Sequence, residues 1–179
     1  TRVALKGPGP IIKCNRKPDF AKGYTFYFRE CFSGSEVLTQ EMTRVLGKKR
    51  IEEGAYVWRK LIDSGAVVIN GTDVPVEPIS PIECFFASVT RRTLKGEPAG
   101  GYEPNQKMTR EEALKSYTLN AAYGAFEETF KGSIEVGKVA DFAVLSQDIM
   151  TVEEDQILNT DILYTIVNGK IEYRAASER

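Results

Sequence analysis

The sequence predicts an α/β fold carrying a small antiparallel β-module at its C-terminal end. Three observations predict it. An apolar run of β type at 66–70 follows a helical pattern and a glycine, which is the α-to-β passage of an α/β unit. Two capping-box signatures, Ser80-Pro81-Ile82-Glu83 and Thr109-Arg110-Glu111-Glu112, each open a helix. Asn168-Gly169 sits between two β-type runs, a strong short-range hairpin signal.

Taken in order, residues 1–34 stay unassigned and read as extended. Gly7-Pro8-Gly9-Pro10 breaks regular structure, while Tyr24, Phe26 and Phe28 alternate as in a strand. From Ser35 the pattern turns helical, with Val37, Leu38, Met42, Val45 and Leu46 recurring and Gly47 as a stop. Lys48-Lys49-Arg50 reads as a solvated helix start. It begins a second helix with Ile51, Ala55, Trp58, Leu61 and Ile62 on one face and Gly65 past its end. Trp58 could serve as a ligand platform, but at this spacing the core is the simpler reading. The strand 66–70 comes next.

The helix from Ser80 carries Pro at its first position and runs to about Arg92. Arg91 and Arg92 close it, where cations meet the negative end of the helix dipole. Residues 95–106 hold three Gly and two Pro and read as a loop. Thr109 starts a long helix with Leu114, Tyr117, Ala121 and Phe126 facing inward, closed by Gly132. Residues 134–138 are extended with a turn. Residues 140–145 form a buried strand, with Asp141 at its start bonding a nearby turn. Runs 162–167 and 170–173 complete a hairpin about Asn168-Gly169. The expected organisation is 1–34 unassigned, 35–132 an α/β portion, and 133–179 a β-module.

Composition bounds what such a chain does. It has 179 residues, 42% hydrophobic and 27% charged, enough for a real core. A net charge of −1 argues against a nucleic-acid partner. No apolar run approaches a membrane span and no stretch has a signal-peptide pattern, so no membrane partner and a cytoplasmic location are expected. Thr1 in place of Met is read as the start of a fragment or a processed product. Cys14, Cys31 and Cys84 are too irregularly spaced for a disulfide framework or a zinc knuckle, and are expected as reduced thiols. There is no histidine. A nucleophilic cysteine would therefore lack its usual base.

The chemistry-bearing feature is the end of the 66–70 strand. A buried strand running into Asn70-Gly71-Thr72-Asp73 releases a carboxylate where parallel-sheet enzymes place their catalytic groups. The competing reading of Asp73 is a turn or capping role, common for Asp after Gly-Thr. Glu77, in the following loop, could line a substrate pocket. An exposed loop carboxylate is the simpler account.

Four blocks carry a family resemblance. They are Gly54-Ala55-Tyr56-Val57-Trp58 with Asn70-Gly71-Thr72-Asp73-Val74-Pro75-Val76-Glu77, then Met108-Thr109-Arg110-Glu111-Glu112-Ala113-Leu114 with Ser116-Tyr117-Thr118. Lys131-Gly132-Ser133-Ile134 through Gly137-Lys138-Val139-Ala140-Asp141-Phe142 follows, and Tyr164-Thr165-Ile166-Val167-Asn168-Gly169-Lys170 ends the series. From about Arg44 to Arg174 the chain resembles the C-terminal part of a metal-dependent amidohydrolase, in the branch called amidohydrolase family 3.

The resemblance implies a TIM-like (β/α)8 barrel and a small β-sandwich composed from both chain ends. Strand 66–70 would be the last barrel strand, 35–132 the barrel-derived portion, and 133–179 the sandwich share. It implies hydrolysis of a non-peptide amide or cyclic amide C–N bond in a small-molecule substrate. It implies a divalent metal, zinc by expectation, that activates water. Asp73 would bind that metal and move the proton, provided that upstream residues supply the other ligands. A lone carboxylate without histidine does not make a zinc site, so this chain by itself is expected to hold none. The alternative is a non-catalytic structural or interaction module, or a truncated product that self-associates. Accordingly a homo-oligomer or a missing N-terminal portion is expected.

Overall fold

The computed structural model describes residues 2–5, 11–14, 25–29, 44–54, 56–72, 74 and 79–176. Strands β1 (Arg2–Leu5), β2 (Ile11–Cys14), β3 (Thr25–Arg29) and β4 (Val67–Gly71) form one sheet in that order. β1, β2 and β3 pair antiparallel, while β3 and β4 run parallel with Tyr27 opposite Ile69 and Phe28 opposite Asn70. The strand expected around Phe26 and Phe28 is β3. Parallel strands are covered on both faces and read as continuous apolar runs. β4 fits that rule, with Val68 and Ile69 only 2% and 1% exposed.

The second helix is two helices. α1 (Lys48–Gly54) and α2 (Trp58–Asp63) are separated at Tyr56, whose φ of 58° is left-handed. A non-glycine residue there costs roughly 1–2 kcal/mol. Tertiary contacts hold it: the Tyr56 ring meets Trp58 edge-on at 5.7 Å, and its carbonyl accepts from Arg91 Nη1 at 3.1 Å. Trp58 is buried in the core, as its spacing predicts. Lys48 and Lys49 are solvated and face Glu52 and Glu53 one turn on, at 3.7 and 3.8 Å. Val45, expected on a buried helical face, is exposed.

α3 (Pro81–Thr90) is the central core helix, buried from Ile82 through Thr90 except for half-buried Glu83. Ser80 Oγ accepts from Glu83 N at 3.4 Å, so one half of the expected capping box is made. At its other end Arg91 does more than meet the dipole. It is left-handed at φ 55° and 2% exposed, and it donates to the Tyr102 carbonyl as well as to that of Tyr56. Arg92 pairs with Glu154 at 3.2 Å and Asp155 at 2.7 Å. Cys84, fully buried on α3, is disulfide-bonded, which corrects the expectation of three reduced thiols. Sequence spacing does not report which sulfurs come within bonding reach; Cα separation in the fold does.

The helix from Thr109 is also two, α4 (Arg110–Tyr117) and α5 (Leu119–Ala125), broken at Thr118. Its inward face is corrected. Leu114 and Phe126 are 38% and 51% exposed, while Ala113, Ser116, Ala122 and Gly124 are buried. Both helices pack on β4. Phe126 itself caps α5 in the left-handed region. Gly132 lies against α5: a Cβ there would stand 2.6 Å from that of Ala122.

β5 (Phe142–Leu145), β6 (Ile162–Val167) and β7 (Lys170–Arg174) form the antiparallel C-terminal sheet. Asn168 and Gly169, at φ 50° and 78°, make the two-residue turn. Asp141 bonds that turn as expected, its Oδ1 accepting from Asn168 N at 2.7 Å. β5 is a strand but is not buried: Phe142 and Val144 are 41% and 38% exposed. Between β5 and β6, residues for which the sequence offered no reading return to the helices. Ile149 and Ile157 enter the core, and Arg110 donates to the carbonyls of Ile149 and Val152. Among the described residues no helix is long and apolar enough to cross a membrane.

Candidate functional site

The C-terminal end of β4 is where the sequence directs attention. After the apolar residues Val68 and Ile69 the strand presents Asn70, a polar side chain only 9% exposed. A buried amide is costly unless bonded. Asn70 Nδ2 donates to Ser88 Oγ at 2.8 Å, and its Oδ1 accepts from Gly71 N at 2.9 Å. Ser88 Oγ in turn donates to the Cys84 carbonyl at 2.8 Å. The strand end is thus tied to the middle of α3. Asn120 of α5 donates to the Val68 carbonyl at 2.8 Å, fixing the strand from a second helix.

Asp73 and Glu77, the residues singled out for catalysis and substrate binding, lie outside the described residues, as do 75–78 generally. The structure describes the strand end that precedes them in the chain. Ser88 and Asn120 are the parts of its frame that the sequence reading missed, together with the hydrogen bonds of Asn70. The available signal was a single polar residue closing an apolar strand.

A titratable side chain, Tyr117 of α4, sits beside Ser88 in this frame. Burial pushes its phenol well above the ordinary range, opposed by the Ser88 hydroxyl. It stays neutral near pH 7 and supplies no base. The other strong electrostatic feature is structural. Arg59 of α2 grips Glu112 of α4 through both guanidinium nitrogens, Nη1 lying 2.9 Å from Oε1, and Nη2 also donates to the Lys107 carbonyl at 3.2 Å. Glu112 accepts from Thr109 N at 2.8 Å and Thr109 Oγ1 accepts from Glu112 N at 3.2 Å, so the predicted capping box is complete. The Arg59 guanidinium, aided by the Thr109 bonds, holds the Glu112 carboxyl down to about 2 against the cost of burial.

Metal ligation has a plain test in the donor set. The chain has no histidine, and among the described residues no group of three or more Asp, Glu or Cys could hold an ion. The described residues do not compose a metal centre by themselves.

The profile of a family described as amidohydrolase matches residues 32–173, reaching further toward the N-terminus than the motif blocks. The chain is 33% identical over 128 residues to the Bacillus subtilis protein YtcJ, covering 72% of this chain and 24% of that protein. It is 34% identical over 115 residues to the N-substituted formamide deformylase of Arthrobacter pascens, covering 64% of this chain and 21% of the enzyme. A solved metal-dependent hydrolase from Pyrococcus horikoshii superposes with a TM-score of 0.57 at 26% identity, over 72% of this chain and 25% of that one. The chain spans about a quarter of the length of these relatives, at 24%, 21% and 25%.

Proposed function

The chain belongs to the amidohydrolase family, and on that premise we propose that it is the C-terminal portion of a metal-dependent hydrolase of non-peptide C–N bonds. The observation that carries this reading is the match over 32–173, which includes the strand end at Asn70 and its Asp73. β4 is the last strand of an incomplete barrel, and β5–β7 are the C-terminal share of a sandwich. Asp73 accepts a proton from the attacking water and returns it to the leaving nitrogen. Glu77 lines the small-molecule pocket. Asp73 would hold a divalent metal, zinc by expectation, only together with further donors from outside this chain, and that metal would supply water activation.

Two measurements test this. The polypeptide containing this chain together with the remainder of a family-length protein is assayed on N-substituted formamides and cyclic amides, reading amine or ring-opened product. Turnover that Asp73→Asn nearly abolishes, with folding retained, is the expected result. Full turnover in the Asp73→Asn variant would remove Asp73 from the chemistry. Elemental analysis of the 179-residue chain alone is expected to find no stoichiometric transition metal. One tightly held zinc per chain would overturn that ligand assignment.

A second reading is favoured by one observation. Phe142, Val144 and Ile171 expose between 38% and 54% of their surface on one face of the C-terminal sheet. A separately produced chain would cover such a surface by self-association. Light scattering across a concentration series tests it, and a monomer at every concentration would count against it.

A further inference from the structure

We draw no further inference here: the strongest candidate, the cavity of about 800 Å³ between the first turn of α3 and the β6–β7 sheet, lined by Glu83, Asp161, Thr165 and Tyr173, carries nothing because the unpartnered Glu83 carboxylate oxygen is itself buried out of a ligand's reach and nothing in the structure shows what fills the space in a chain that spans about a quarter of its relatives' length.

Discussion

Replacing Glu112 with Gln isolates the electrostatic bond between α2 and α4. The wild-type carboxylate holds Arg59 with two contacts and the Thr109 amide with a third. Its acidity moves from an ordinary 4.5 to about 2 in the folded chain. At ~1.4 kcal/mol per pH unit that difference is an upper bound of roughly 3 kcal/mol. Both side chains keep about a quarter of their surface, 26% and 28%. Solvent screening therefore reduces the expected contribution to about 2 kcal/mol. Because the folded value lies below the unfolded one, this stability is fully present above about pH 5. It is lost as pH falls from 4.5 through 2.

The assay is the unfolding midpoint of wild type and Glu112→Gln at pH 7, 5, 4 and 3, by circular dichroism. At pH 7 the variant should melt about 4–8 °C lower. The gap should narrow progressively below pH 5. Glu112→Ala also removes the reciprocal cap of α4, so it should carry a further pH-independent loss of about 1 kcal/mol. A gap of constant size from pH 7 to pH 3, or none at pH 7, would refute the reasoning. In either case the Arg59–Glu112 contact would add nothing beyond packing.

Two further sites, the Asn168-Gly169 turn and Gly132, probe the backbone. Ala at both Asn168 and Gly169 forces two left-handed residues onto side chains that resist them, at φ 50° and 78°, at roughly 1–2 kcal/mol each. The C-terminal sheet should lose amide-exchange protection before the helices do, and an unchanged melt would argue against a tight hairpin. Gly132→Ala meets both a φ of 97° and a 2.6 Å approach to the Ala122 side chain. It should destabilise by more than the ~1 kcal/mol of a simple strained turn. Ala122→Gly is expected to recover part of that loss, and no recovery would place the strain elsewhere.

What the residues determined alone was local. The capping box at Thr109 and Glu112, the Ser80 cap, the stop at Gly65, the Asn168-Gly169 turn and its bond from Asp141 each involve near neighbours or one short reach across a hairpin. The apolar run of β4 was equally legible, because a parallel strand covered on both faces leaves no other pattern. Asp73 is an expectation from its motif, and it lies outside the described residues.

Tertiary structure decided the rest, because each remaining outcome depends on partners far along the chain. The break at Tyr56 is held by Arg91, and the break at Thr118 accompanies two short helices laid on β4. Periodicity marked Leu114 and Phe126 as inward, but the packed helices bury Ala113, Ser116, Ala122 and Gly124 instead. Phe142 and Val144 read as a buried strand. Their burial requires a covering surface that the described residues do not supply. The amide of Asn70 and the hydroxyl of Ser88, apart by 18 positions, become one hydrogen-bonded frame only when α3 folds back over the strand.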